Sequence, residues 1–355
     1  MRVLLTTTAM HEERAVGGVL RYALELHHGL PAEGVTTEML TGVHSCSALD
    51  GLERSTGWYR PAVPSKAKLT ATLAVEAALA PRHDVVHRLS YPPRGARTGR
   101  APLLVTIYDM IPELFPEQFP TVSRIAARKR YWCHRADMVI AISETTAADV
   151  VTMLGIDATK VRAIPLGVRP AAAETQPTTP RRDDLVLHVG TRHGYKNFGL
   201  LARGFAQARH AAELQLICAG PPATREETAL LEQLGVGGRV TFCRPSDAEL
   251  AALYRGATVT VCPSRYEGFG LPVLEAMGHH SPVIAAKAGS LPEVAGGAAL
   301  LVDPDAPDEL AAAIDRLVED DALRTRLVDD GNERAAAYPW ERTVAATAAL
   351  YREVA

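Results

Sequence analysis

Short β-branched runs alternate with longer amphipathic stretches along almost all of this 355-residue chain. A strand followed by a helix, repeated many times, buries both faces of a sheet only when the strands run parallel and the helices cross over them. Strands are therefore expected at Val3–Thr7, Thr36–Leu40, Val85–His87, Leu103–Ile107, Met138–Ile142 and Val161–Ile164. A second set follows at Leu185–Val189, Leu214–Cys218, Val240–Cys243, Thr258–Cys262, Val283–Ala285 and Ala299–Val302. Ala-rich helical segments fill most of the gaps. The series breaks once, in the Pro/Thr/Ala stretch Arg169–Arg182, which has no periodicity. The chain is too long for one ordinary core. The break thus reads as a linker (169–183) between two Rossmann-like domains, 1–168 and 184–337. Each should carry its ligand crevice at the carboxyl ends of its strands. A last helix is expected at Glu341–Glu353, after Tyr338-Pro339-Trp340.

Composition removes several function classes. With 47% hydrophobic residues, 22% charged residues and a net charge of −3, the chain is globular and carries no bias toward a nucleic-acid partner. Its cysteines (46, 133, 218, 243 and 262) form no Cys-x-x-Cys pair, and the last three lie in apolar strand-like runs. They read as small buried hydrophobes of a reducing compartment, neither a disulfide frame nor a zinc site. No apolar run approaches the roughly 18 residues of a membrane span. Met1–Met10, with one Arg and a short apolar run, reads as a first strand and not as a signal peptide. The expected location is the cytoplasm.

The chemistry concentrates at Glu267-Gly268-Phe269-Gly270-Leu271-Pro272-Val273-Leu274-Glu275. A buried strand precedes it and helical spacing follows, with Gly278 as a stop. Glu267 then lies in the strand-to-helix loop and Glu275 about a turn into the helix. Main-chain N–H groups of Gly268, Phe269, Gly270 and Leu271 would point out of the helix start, where negative charge is favoured. Two carboxylates beside an anion need something else to face. Vicinal hydroxyls suit them, because a carboxylate only accepts hydrogen bonds and a diol offers two donors. Diols on one side and an anion on the other describe a nucleotide sugar. The plainer reading is two solvated glutamates, but the Gly-Phe-Gly-Leu-Pro insert argues against it, since a surface loop has no need of backbone that lets a ligand approach.

The segment Pro263-Ser264-Arg265-Tyr266-Glu267-Gly268-Phe269-Gly270-Leu271-Pro272-Val273-Leu274-Glu275-Ala276-Met277 resembles the donor-site signature of retaining glycosyltransferases of family four. The resemblance extends over nearly the whole chain. It implies an α/β GT-B fold, two Rossmann-like parallel-sheet domains facing across a cleft, with the last helix bracing the first domain. Gly190-Thr191-Arg192-His193-Gly194-Tyr195-Lys196-Asn197 resembles the family's Gly-Thr-x-x-x-Arg-Lys-Asn diphosphate loop, with Tyr195 where Arg is usual and Arg192 on the same loop. From the residues alone, Arg192 and Lys196 suit a departing diphosphate or are two solvated cations. The scarcity of lysine in this chain favours the first. Gly17 and Gly18, at the expected start of a helix, fall where the family places donor phosphates; a flexible turn is the competing reading.

Val105-Thr106-Ile107-Tyr108-Asp109-Met110-Ile111-Pro112 resembles the family's Thr-Ile-His-Asp-Leu-Ile-Pro segment, with Tyr108 in place of the His that approaches the transferred sugar. Tyr108 and Asp109 are thus candidates for the sugar or acceptor side, Tyr108 as a hydrogen-bond donor. His87, after Val85-Val86, could meet an acceptor, although a lone His reads first as structural. The base is expected against Phe242-Cys243-Arg244-Pro245, read mostly by main chain. Asp303-Pro304-Asp305 matches an Asp-x-Asp metal signature but reads as a turn and N-cap before the helix Glu309–Leu317. The basic run within 124–135 is a candidate for peripheral membrane contact, with a solvated helix face as the favoured reading.

The resemblance implies a retaining, metal-independent transfer of a hexosyl group from a nucleoside-diphosphate sugar to an acceptor hydroxyl, with no further cofactor. GDP-mannose or a related GDP- or TDP-hexose is the expected donor, in polysaccharide, glycolipid or natural-product biosynthesis. Glu267, Arg192 and Lys196 would be catalytic. The alternatives are a UDP-glucose or UDP-N-acetylglucosamine enzyme and a GT-B nucleotide-sugar epimerase, which lacks the Glu-x7-Glu pair. A phosphorylase would need pyridoxal phosphate on Lys196 or Lys287, and a Rossmann dehydrogenase would need Gly-x-Gly-x-x-Gly after the first strand.

Overall fold

The computed structural model describes residues 1–7, 18–44, 52–53, 55–59, 65–93, 99–119, 123–169, 182 and 184–355. Gly17, Cys46 and nearly all of the expected linker lie outside them. The chain forms two compact units, one of Met1–Gly167 with Trp340–Ala355 and one of Val168–Pro339.

The first unit holds a seven-stranded parallel sheet in the order β3-β2-β1-β4-β5-β6-β7. Its strands are β1 Arg2–Thr6, β2 Thr36–His44, β3 Ser55–Tyr59, β4 Val85–Arg88, β5 Leu103–Ile107, β6 Met138–Ala141 and β7 Val161–Ala163. Helices α1 (Gly18–Gly29), α2 (Ser65–Leu79), α3 (Ile111–Leu114), α4 (Ser123–Arg135) and α5 (Glu144–Leu154) fall between them. The strands expected from the sequence all appear, displaced by a few residues at their ends. β3 was not expected, because Ser-Thr-Gly-Trp-Tyr offers no apolar run. It is the sheet edge, where pairing on one side suffices.

The helix Trp340–Val354 belongs to this unit. Two glycines let it seat closely. A Cβ on Gly167 would lie 2.5 Å from the Trp340 main chain, and one on Gly29 would lie 2.7 Å from a Val344 methyl. Thr343 donates to the Pro165 carbonyl at 2.7 Å. Tyr351 is fully buried, and its hydroxyl lies 2.6 Å from His87 Nδ1.

That contact favours the structural reading of His87 over an acceptor role. It is 0% exposed, and its other nitrogen lies 2.7 Å from Thr106 Oγ1. A side chain with both nitrogens engaged in the core cannot meet an acceptor. Beside it, Arg88 and Glu76 form a fully buried ion pair, with the guanidinium 4.0 Å from the Trp132 ring centroid.

The second unit holds a six-stranded parallel sheet, β10-β9-β8-β11-β12-β13. The strands are β8 Leu185–Val189, β9 Gln215–Ala219, β10 Val240–Cys243, β11 Val259–Cys262, β12 Val283–Ala286 and β13 Leu300–Val302. The helices are α6 Phe198–Gln207, α7 Arg225–Gln233, α8 Asp247–Gly256, α9 Leu271–Gly278, α10 Leu291–Ala295, α11 Pro307–Glu319 and α12 Asp321–Ala336, and Trp340–Val354 in the first unit is α13. Phe205, Leu201, Leu216, Val259, Ile284, Leu310 and Ile314 are among the residues of its core. β8 and β11 are central neighbours, so the loops at their carboxyl ends leave the sheet side by side.

Burial pushes the His87 pKa down to about 3 from its ordinary 6.5. As pH falls below 6.5 the unfolded chain takes up this proton and the folded chain does not. Stability of the first unit is therefore lost as pH falls from about 6.5 to about 3, at about 1.4 kcal/mol per pH unit for this group. All three tryptophans (58, 132 and 340) belong to this unit, so their fluorescence follows it during urea unfolding. Between pH 6.5 and 4.5, His87→Gln should lose about one proton's worth of the wild-type slope. An unchanged slope would refute the assignment.

Candidate active site

β11 is buried at every position and delivers Pro263, Ser264 and Arg265 to the sheet edge. The chain then turns through Glu267–Gly270 into α9. Gly270, the N-cap, takes φ +101°, and no side chain caps the helix. The turn is held from the neighbouring loop. Ser290 Oγ lies 2.9 Å from the Glu267 carbonyl and 2.7 Å from that of Phe269, so one hydroxyl proton is shared between the two ends of the turn. Gly289 (φ +54°) permits this approach, because a Cβ there would sit 2.8 Å from the Glu267 nitrogen. The Phe269 ring is buried with its edge toward Tyr338, centroids 5.9 Å apart. Phe269 can therefore serve a ligand only through its main chain.

Glu267 is 8% exposed. Its Oε1 accepts from Lys196 Nζ at 2.7 Å and from Ser264 Oγ at 2.6 Å. Burial alone would lower the Lys196 pKa, but the Glu267 carboxylate, together with Tyr195 and Cys262, reverses this and the net direction is up. Lys196 is thus a fixed cation. Its loop is built for that purpose. A single 3₁₀ turn, Gly194–Lys196, ends at Asn197 in the left-handed region, φ 59°, a conformation Asn tolerates better than most residues. Asn197 Nδ2 donates to the Pro304 carbonyl at 2.7 Å. Arg265 N–H donates to the Tyr195 carbonyl at 2.8 Å, which ties the lysine loop to the glutamate loop.

Arg192 requires a correction. Expected beside Lys196 on a diphosphate, it is committed elsewhere. Its Nε and Nη2 donate to the Glu227 carboxylate at 2.9 and 3.1 Å, and Nη2 also reaches the Pro221 and Pro222 carbonyls. The guanidinium lies 4.6 Å from the Phe242 ring centroid. Glu227 is at once the capping-box residue of α7, so the pair fastens the start of the 190–197 loop to that helix. Only Nη1 is left, and it is buried. Arg192 holds the loop that presents Lys196.

Glu275 lies in α9 with Oε2 accepting from Tyr254 at 3.3 Å, and the Tyr254 ring stacks on His279, centroids 5.7 Å apart. At the end of the edge strand β10, Cys243 is half-buried and Arg244 is exposed. The Cys243 carbonyl is taken by Gly220 N–H at 2.8 Å, and burial pushes its thiol up. His188, on β8, is buried with Nδ1 3.1 Å from the Val261 carbonyl. Burial pushes its pKa down to about 4, which keeps a second cation out of the space behind Lys196.

Three other expectations meet different geometry. Tyr108 donates its hydroxyl to the Leu89 carbonyl at 3.2 Å, so the expected donation to sugar or phosphate is already spent. Asp109 accepts from Ile111 N–H at 3.0 Å, and its carbonyl receives Lys129 Nζ at 2.8 Å. Lys129 is 2% exposed and pairs with Glu113 at 2.8 Å, so the basic run is not uniformly a solvated face; Arg124, Arg130, His134 and Arg135 remain exposed. Asp303 accepts from Asp305 N–H at 2.7 Å and Asp305 pairs with Arg265, but the N-cap of α11 is Ala306, with no side-chain cap. Among the described residues, no three His, Cys, Asp or Glu form a group able to hold a metal. Gly18 opens α1, and Gly17 lies outside the described residues.

Ser264, Ser290, Asn197, Glu227 and Tyr254 were not read from the sequence as site residues. Thr224-Arg225-Glu226-Glu227 does carry a capping-box pattern that marks Glu227. The serines carry no local signal.

Because side chains of Arg192 and Glu227 are only 2% and 11% exposed, Glu227→Ala should cost about 3 kcal/mol, the usual result of leaving a buried charge unpaired. Urea unfolding of the second unit measures this, and a loss under about 1 kcal/mol would show the pair to be solvated.

Two family models match the chain, "Glycosyltransferase Family 4" over residues 16–172 and "Glycosyl transferases group 1" over residues 183–320. An MMP α-(1→4)-mannosyltransferase of Mycolicibacterium hassiacum is 34% identical over 226 residues, 61% of this chain and 54% of that protein. The chain spans about half the length of the curated relatives it matches. Among solved structures, sucrose-phosphate synthase from Thermosynechococcus elongatus superposes with a TM-score of 0.80 at 27% identity, over 99% of this chain and 98% of that one. Anabaena HepE, solved with UDP and glucose, gives 0.78 at 19% identity, over 99% and 100%. Two Rossmann-like parallel sheets, a Glu267–Lys196 pair at the edge of the second, and these likenesses place the chain in the group 1, family 4 glycosyltransferases of the GT-B fold.

Proposed function

We propose that this chain is a retaining, metal-independent hexosyltransferase that uses a nucleoside-diphosphate sugar and an acceptor hydroxyl. One observation carries the reading: a half-buried lysine held cationic by Glu267, beside a Gly-Phe-Gly turn that opens a helix without a side-chain cap. An uncapped helix start and a fixed ammonium stabilise the charge that develops on a departing diphosphate. Glu267, before the turn, suits hydroxyls of the transferred sugar, and Glu275, behind it in α9, suits the ribose diol. With departure and attack on one face of the sugar, a diphosphate oxygen takes the acceptor proton. Catalysis is then charge stabilisation and positioning, with no separate base.

For the donor we favour GDP-mannose or a related GDP- or TDP-hexose. The support is the Gly190–Asn197 loop and the mannosyltransferase among the relatives. A UDP-hexose donor is the competing reading, since HepE binds UDP and glucose. A hydrolysis screen across nucleotide sugars, run in EDTA, tests both proposals. Turnover of GDP-mannose should survive the chelator. Turnover confined to UDP sugars would move the donor, and loss in EDTA restored by Mg²⁺ or Mn²⁺ would defeat metal independence.

The two glutamates should separate in calorimetry. Glu275→Ala should weaken nucleoside-diphosphate binding about tenfold, the worth of one charge-assisted hydrogen bond. Glu267→Ala should spare that binding and lower turnover about 100-fold. The reverse pattern would show the roles to be exchanged.

A further inference from the structure

We propose that Ser264 is a positioning residue for the transfer reaction, fixing which oxygen of Glu267 faces the donor sugar. The inference rests on the hexosyl-transfer reading and goes one step past it. A carboxylate oxygen has two lone-pair sites. Both on Glu267 Oε1 are filled, one by Lys196 Nζ at 2.7 Å and one by Ser264 Oγ at 2.6 Å. Oε2 is thereby the oxygen left to accept from a sugar hydroxyl, and the carboxylate plane is set by two donors fixed on different loops.

The two donors are not equivalent. Lys196 also has to serve a diphosphate, and an ammonium on a four-carbon stem moves easily. If it alone held Glu267, any shift of Nζ toward phosphate would carry the carboxylate with it. Ser264 stops this. It follows directly from the buried strand β11 and is 1% exposed, and its main chain is braced by the Arg265 N–H to Tyr195 carbonyl bond. A hydroxyl on that frame keeps Oε1 in place while the ammonium is shared. Its contribution is therefore to the geometry of the reacting sugar, where small misplacements are costly, and not to nucleotide affinity.

The test is Ser264→Ala, with Ser264→Thr as the rescue that restores the hydroxyl, both checked by thermal melt. GDP, TDP and UDP binding are read by calorimetry, and kcat and KM by hydrolysis of GDP-mannose, TDP-glucose and UDP-glucose. The alanine variant should keep its nucleoside-diphosphate Kd within twofold, lose about tenfold in kcat and leave KM little changed. The threonine variant should recover to within about threefold of wild type. Wild-type kcat in the alanine variant overturns the proposal. So does a Kd that weakens in step with kcat, which would mark Ser264 as merely structural, or a folded threonine variant as slow as alanine. A wild-type chain that binds none of GDP, TDP and UDP overturns the hexosyl-transfer reading and this inference together, whereas an active wild type with an indifferent alanine variant overturns only the role of Ser264.

Discussion

An ammonium and a carboxylate 71 residues apart in sequence meet at 2.7 Å on the edge of the second sheet. Taking two such charges out of water costs several kcal/mol per ion unless each is well partnered, so the surroundings of Lys196 and Glu267 have to be accurate. The central adjacency of β8 and β11 brings the two loops together. Asn197 sets the end of one loop through a left-handed turn, and Ser290 with Gly289 sets the other through the carbonyls of Glu267 and Phe269. The Arg192–Glu227 pair anchors the lysine loop from behind.

The first unit buries polar groups as freely, to a different end. Arg88 pairs with Glu76, Lys129 with Glu113 and Asp109, and His87 with Tyr351 and Thr106. Glu113 even keeps a buried Oε1 without a hydrogen-bond partner, so a half-used acceptor is not peculiar to Glu267. Position at the carboxyl end of a strand is thus insufficient to name a site residue. What sets Glu267 apart is its place at the turn into the uncapped start of α9, with Lys196 Nζ from the neighbouring loop on its carboxylate.

This difference also explains what the sequence could reveal. Short, largely apolar runs such as Leu103–Ile107 and Leu185–Val189 read as strands buried on both faces, and they appear as strands. The loops that carry Glu267 and Lys196 could be placed between strand and helix because glycines break the surrounding pattern, whereas the left-handed turn at Asn197 shows only in the structure. β3 was not legible, since Ser-Thr-Gly-Trp-Tyr reads as a turn until an edge is available to pair with it. Arg192 showed its charge but not its counter-ion, 35 residues further on. The structural reading of His87 could be favoured but its partner could not be named, because Tyr351 lies 264 residues away. Ser264 and Ser290 look like any other loop serines until their acceptors are in view.

The seating of α13 has a consequence for how the molecule is made. The first unit is assembled from two segments separated by the whole of the second. As the chain leaves the ribosome, Met1–Gly167 emerges with the surface against Val344 and the His87 imidazole uncovered, and some 170 residues must follow before their partners arrive. The second unit has all its strands and helices in one stretch and can close first. Completion of the earlier-made unit then waits on a long-range closure, which is the slow kind. The half-built sheet is the species most in need of protection in the meantime, and its exposed apolar seam lies where α13 will finally dock.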